Sequence, residues 1–268
     1  MPMRLYDAHN HLQDDRLKPF LPVILESLAR EPMIVRMVVN GSSEEDWPAV
    51  RELARQCPRV LPSFGYHPWY IKERSPRWHE TLLECLHHGT AVIGEIGLDR
   101  WIKDFDLPQQ EEVFVWQFRL AAERNLPVSI HCLKAWGRLY DLLRDMPRPA
   151  RGFLLHSYGG PREMVRPLSA LGAYFSFPGY YAWERKLAQR EIFRQIPPDR
   201  LLVETDAPDQ LLPEALDRFG LREAATGDRL NHPGNLLAVY TFLADWLGKP
   251  LDRLAGEVEA NFLRFFGT

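Results

Sequence analysis

The tightest constraint on what this chain can fold into is a rhythm. Eight short apolar or β-branched runs, at residues 5–9, 34–40, 61–66, 91–96, 127–131, 152–156, 173–177 and 201–205, alternate with longer stretches of helical period. Several of the runs are apolar almost throughout, the pattern of parallel strands covered on both faces rather than on one. Helices are predicted at 44–56, opened by Ser42-Ser43, at 108–124, with Pro108 at the start, and at 160–171. After the eighth run an irregular stretch, 208–231, leads to two further helices at 234–247 and 251–265.

Eight strand–helix units without an internal linker predict a closed (β/α)8 TIM barrel with a C-terminal helical extension, a single domain over 1–268. The length of 268 residues suits this, since such barrels need roughly 250. An open doubly wound sheet competes, but it usually carries a glycine-rich first turn. Here the first run closes on Asp7-Ala8-His9-Asn10-His11 instead.

Composition narrows the function. A formal charge of −3 argues against a protein that coats nucleic acid through bulk electrostatics, so any polyanion must be gripped locally. Cys57, Cys85 and Cys132 are too few and too scattered for a disulfide framework or a thiolate zinc site. No apolar run approaches the ~20 residues of a membrane span, and the first residues lack a basic-then-apolar leader. The expectation is a cytoplasmic protein with no membrane association and no obligate protein partner, working as a monomer.

Chemistry gathers at the ends of the runs. In an extended segment residues two apart share a side, so His9 and His11 can face one ion. The fourth run places Glu95 among apolar neighbours, where a lone carboxylate is costly unless a cation meets it. The fifth ends in His131, the sixth in His156, and the eighth leads to Asp206. Any one of these could be an ordinary strand-end residue bonded to backbone. In a barrel, however, all the C-terminal strand ends open on one face, so six such groups from five strands converge. Imidazole and carboxylate without thiolate suit Mg²⁺, Mn²⁺ or Zn²⁺. Six donors exceed one tetrahedral site, and two divalent ions roughly 3.5–4 Å apart would use them and activate water. The reaction class is metal-assisted hydrolysis, with Asp206 a candidate both for ligation and for taking a proton from that water.

Together these segments resemble the TatD-type metal-dependent deoxyribonucleases, within the amidohydrolase-like barrel proteins. The matching stretches are Asp7-Ala8-His9-Asn10-His11, Gly65-Tyr66-His67-Pro68, Gly94-Glu95-Ile96-Gly97-Leu98-Asp99, Pro127-Val128-Ser129-Ile130-His131, His156-Ser157-Tyr158-Gly159-Gly160 and Glu204-Thr205-Asp206-Ala207-Pro208. The resemblance implies that His9, His11 and Asp206 hold one ion and that Glu95 bridges to a second held by His131 and His156. It further implies phosphodiester hydrolysis, usually of DNA and often from the 3′ end, with Mg²⁺ or Mn²⁺; RNA and a small phosphoester stand beside DNA as candidate substrates.

Two stretches depart from the family pattern. Cys132-Leu133-Lys134-Ala135 stands where Ser-Arg-Asp-Ala is common, and Leu230-Asn231-His232-Pro233 where Arg-Asn-Glu-Pro is common, which puts His232 near the expected rim. For substrate the candidates are His67, Lys134, Arg100 and Ser157, the last at a turn whose free N–H groups can receive phosphate. Lys103 could add a phosphate contact, Trp101 or Trp136 a stacking face, and Asp99 could orient a ligand histidine. Two alternatives stand beside the nuclease: a small-molecule amidohydrolase or phosphoesterase on the same centre, and a non-catalytic metal-binding scaffold.

Overall fold

The apolar runs become eight parallel strands: β1 (Leu5–Asn10), β2 (Ile34–Asn40), β3 (Val60–Phe64), β4 (Val92–Asp99), β5 (Val128–Leu133), β6 (Phe153–Leu155), β7 (Ala173–Pro178) and β8 (Leu201–Glu204). They pair in sequence order, each parallel to the next. This computed structural model describes residues 3–87 and 89–267, so positions 1, 2, 88 and 268 of the expected domain span lie outside the described residues. Every residue of β1, β4 and β7 is buried, which is why their sequences do not alternate.

The sheet curls until β8 meets β1. Asp206 N donates to His9 O at 2.9 Å and His11 N to Ala207 O at 2.7 Å. Thr205 N and Oγ1 both donate to the Asp7 carboxylate, at 2.9 and 2.5 Å. The result is a (β/α)8 barrel ringed by α1 (Leu21–Ala29), α2 (Trp47–Gln56), α3 (Trp78–His87), α4 (Leu107–Arg124), α5 (Trp136–Asp145), α6 (Val165–Ala170), α7 (Leu187–Ile192) and α8 (Leu236–Leu247), with α9 (Leu251–Phe266) as the C-terminal extension.

The last helices cover the seam between first and last strands. Asn261 Nδ2, on α9, donates to the Leu201 and Pro198 carbonyls at 2.9 and 2.7 Å, holding β8. Phe262 packs its ring 4.7 Å from that of Tyr6 on β1, while Tyr240 of α8 bonds both the N–H and C=O of Tyr6.

Helix starts differ from the sequence expectation where polar side chains organise a turn first. α2 begins at Trp47 rather than at residue 44, because Asp46 accepts from Ser42 N and Ser43 N at 2.9 and 3.2 Å and closes a loop ahead of it. The 160–171 helix divides into a 3-10 turn, Arg162–Met164, and the shorter α6. α8 likewise follows a 3-10 turn, Pro233–Asn235.

His232 makes that last turn, and its position corrects the expectation of a rim residue. Its Nδ1 accepts from Gly234 N at 2.9 Å, capping the turn, and its Nε2 lies 3.1 Å from Ser27 Oγ on α1. The ring is buried and stacks on Phe219 with centroids 3.8 Å apart. Burial pushes its pKa down to about 4, below the ordinary 6.5. The unfolded chain therefore takes up this proton first, and stability present above about pH 6.5 drains away as pH falls toward 4. Between pH 7 and 5, urea unfolding should show His232→Asn losing about 1–2 kcal/mol less stability than the wild type. Equal losses in the two proteins would remove His232 from the pH response.

Candidate metal centre

The C-terminal ends of the strands place all six expected donors around one point. His9 lies within β1 and His11 just beyond it, Glu95 in β4, His131 in β5, His156 directly after β6, and Asp206 two residues past β8. All but His11 are buried. Close packing beside the carboxylate needs glycine. A Cβ on Gly97 would sit 2.0 Å from His131 O, and Gly94, with φ at 151°, would push a Cβ against Ser129 at 2.9 Å.

Glu95 is the hub. Its Oε2 lies 3.3 Å from His9 Nε2 and 3.2 Å from His11 Nε2. Its Oε1 lies 3.1 Å from His131 Nδ1, 2.7 Å from His156 Nε2 and 3.5 Å from His67 Nε2. Asp206 Oδ1 stands 3.8 and 3.7 Å from the Nε2 atoms of His9 and His11. One carboxylate thus turns each oxygen to a different set of imidazoles.

Outer partners aim the rings. His11 Nδ1 is 2.8 Å from the Asn40 carbonyl, which places a proton on Nδ1 and leaves Nε2 facing the centre. His131 is aimed the other way round, with Nε2 at 2.9 Å from Asp99 Oδ2 and Nδ1 inward. Trp69 Nε1 donates to the same Asp99 oxygen at 2.7 Å, so Asp99 orients a candidate ligand as expected. His9 Nδ1 is tied to Ser129 Oγ at 2.8 Å. Trp69 N donates to His67 Nδ1 at 3.2 Å, which turns His67 Nε2 toward Glu95.

Charge in this pocket is strongly redistributed. Burial alone would raise the Glu95 carboxyl, but the imidazoles of His156, His67 and His9 hold it well below the usual carboxylate range. His156 is correspondingly raised, against its burial, by Glu95 and Glu204. Burial pushes His9 and His67 down to about 4 and the Asp206 carboxyl up to about 8.

The donors fit divalent cations. Glu95 Oε1 and His156 Nδ1 are buried without a directed hydrogen bond, and His9 Nε2 faces His11 Nε2 at 3.2 Å, where only one proton can lie between them. Among the described residues three sets of donors each converge within 4.8 Å: His9, His11 and Asp206; His9, Glu95 and His156; His67, Glu95 and His131. The last set brings in His67, expected only as a substrate contact.

The other expected contacts are placed differently. Ser157 lines the cavity, yet its N–H and hydroxyl both donate to Glu204 Oε1, at 2.8 and 2.5 Å, so the turn is committed inward. Arg100, Lys103 and Lys134 are exposed and lie outside the lining of the roughly 780 Å³ cavity above the donors, whereas Trp101 lines it. Trp136 packs edge-on against Tyr158 at 4.8 Å. Glu204, not singled out from the sequence, is fully buried and stands 3.7 Å from His156 Nδ1. Its signal was the one that marked Glu95, a carboxylate inside an apolar run.

A parallel barrel with imidazoles and carboxylates gathered at its C-terminal face defines a hydrolase of the metal-dependent class. The chain belongs to the TatD related DNase family, whose pattern it matches over residues 6–267. It is 33% identical over 234 residues to the 3′-5′ ssDNA/RNA exonuclease TatD of Shigella flexneri and to that of Escherichia coli K12, covering 86% of this chain and 87% of each relative. Among solved structures it superimposes on YJJV, a TatD homologue from Escherichia coli K12, with a TM-score of 0.87 at 24% identity and full coverage of both chains. A TatD family hydrolase from Entamoeba histolytica gives 0.86 at 20% identity, again over the whole of both chains. No helix among the described residues is long and apolar enough to cross a membrane.

The Asp99–His131 pair yields a test. Asp99→Ala should weaken Mn²⁺ binding measured by calorimetry by about 10–100-fold, since His131 loses the partner that fixes its tautomer. Unchanged affinity in a variant with wild-type near-ultraviolet circular dichroism would show that His131 needs no such support.

Proposed function

We propose that this protein hydrolyses phosphodiester bonds in single-stranded DNA or RNA from the 3′ end, using a two-ion centre of Mg²⁺, Mn²⁺ or Zn²⁺. The observation that carries the reading is Glu95, whose two oxygens face two separate imidazole sets. His9, His11 and Asp206 would hold one ion, His131 and His156 the other, and Glu95 would bridge. Family membership and the TatD exonucleases among its relatives support the substrate class.

Bound divalent ions would supply Lewis-acid polarisation of the phosphoryl oxygens and lower the pKa of water at the site. The remaining work falls to the chain. Asp206, facing the His9 and His11 nitrogens, would accept the proton of the attacking water at Oδ1. His67, presenting Nε2 beside Glu95 Oε1, would steady the phosphate. Asn40, Ser129 and Asp99 keep three of the imidazoles in position throughout.

A 5′-labelled single-stranded oligonucleotide incubated with Mg²⁺ or Mn²⁺ should shorten progressively from its 3′ end, and a chelator should stop this. Asp206→Asn should lower kcat by about 10²–10⁴-fold. Cleavage indifferent to chelator, or to that substitution, would sink the proposal. Elemental analysis offers an independent check: the wild type should carry about two ions per chain and Glu95→Gln about one or fewer. Identical metal content in the two proteins would remove Glu95 as a bridge.

A further inference from the structure

We propose that residues 180–186, which follow β7, form a docking track for single-stranded nucleic acid beyond the scissile bond. Bases would stack on Tyr180 and Trp183, and phosphates would pair with Arg185 and Lys186. The proposal rests on the phosphodiesterase reading and extends it from the reacting phosphate to the strand that carries it.

The first support is charge. Apart from the imidazoles, the cations lining the main cavity among the described residues are Arg16, Lys18 and Lys186. Arg16 is committed to Asp14 and Asp209 at 2.8 and 2.7 Å, and Lys18 to Asp15 at 2.5 Å. On that side of the mouth Glu45 and Asp46 add further negative charge. Lys186 and its neighbour Arg185 make no ion pair among the described residues; they lie over aromatic rings instead. Glu184, the acid beside them in sequence, reaches toward buried Arg190 at 3.5 Å. A polyanion leaving the donor cluster thus meets, at residues 180–186, two cations that no acid pairs with among the described residues.

The second support is shape. The main cavity adjoins a smaller one of roughly 330 Å³, and Tyr180, Asp209 and Gln210 line both. Trp183, Arg185 and Arg229 line the smaller one. The shared acid, Asp209, is the one already neutralised by Arg16 through two nitrogens at 3.0 and 2.7 Å.

The third support is rigidity. Trp183 Nε1 donates to Leu211 O at 2.8 Å, fixing the indole. The Arg185 guanidinium sits 4.7 Å from the Trp183 ring and 5.4 Å from that of Tyr180, and Lys186 Nζ sits 4.6 Å from Tyr180. From beneath, Arg190 donates to the Tyr181 and Ala182 carbonyls at 3.3 and 3.0 Å while lying 4.2 Å from the Trp246 ring. Each ring carries a cation over one face, so a base would stack on the other; aromatic rings joined to cations in this way are a sequence-tolerant means of holding a single strand, and a surface set in advance loses little entropy on binding.

The test is fluorescence anisotropy with a fluorescein-labelled phosphorothioate oligo-dT in Mg²⁺ across a series of NaCl concentrations. Arg185→Ala/Lys186→Ala should weaken binding about 10-fold or more and flatten the slope of log K against log salt by about 1.4, the release expected from two phosphates on a single strand. Trp183→Leu should weaken binding by about 5-fold or more. Arg144→Ala/Arg253→Ala, which removes two exposed charges on α5 and α9, should leave both affinity and slope in place. A wild-type affinity and slope in the Arg185/Lys186 double variant would overturn the track. Binding that depends on these residues in a protein that cleaves no phosphodiester would uphold the track and remove the hydrolase reading. Metal-dependent cleavage with binding indifferent to both cations would do the reverse.

Discussion

A carboxylate buried in the middle of a barrel strand has to be met by positive charge, and Glu95 sets that demand for the whole molecule. Nothing in β4 can meet it. The compensating groups come from the ends of β1, β5 and β6 and from the loop after β3, which approach one another only when the sheet is closed. Protons shared among the imidazoles can supply the charge, as the depressed Glu95 and raised His156 pKa values indicate. Divalent cations can supply it too, through the same nitrogen lone pairs. Fold and site are therefore linked: the barrel brings the donors together, and the donors make the buried carboxylate tolerable.

The strands and the inner donors were legible in the sequence because both obey short-range rules. A strand buried on both faces must be apolar throughout, and a polar residue inside such a strand needs a reason. His9, Glu95, His131 and His156 were found in this way, and Glu204 met the same criterion beside the more conspicuous Asp206. Helix starts were harder to read, since a side chain such as Asp46 can gather N–H groups into a turn that periodicity does not register.

The rim was the least legible part. Lys134 follows the strand that carries His131, but its φ of 54° ends the strand and the side chain lies outside the cavity. His232 looked like a rim residue in place of an acid, yet it caps a turn and stacks beneath the surface. Ser157 sits where a phosphate could be received, but Glu204 already uses its donors. Conversely, Arg185 and Lys186, which make no ion pair among the described residues, lie after β7, whose end brings no imidazole or carboxylate to the donor cluster. Loop residues report on local sequence poorly because their surroundings are assembled from distant segments.

The seam between β8 and β1 has a kinetic meaning. It joins segments about 200 residues apart, so it carries the largest loop-closure cost in the sheet. Backbone bonds from Asp206 to His9 and from His11 to Ala207 close it at the same level where His9, His11 and Asp206 converge. An ion held by those three side chains would tie the two ends of the chain together across that junction. Ion occupancy would then govern how long the barrel stays shut as well as what it can cleave.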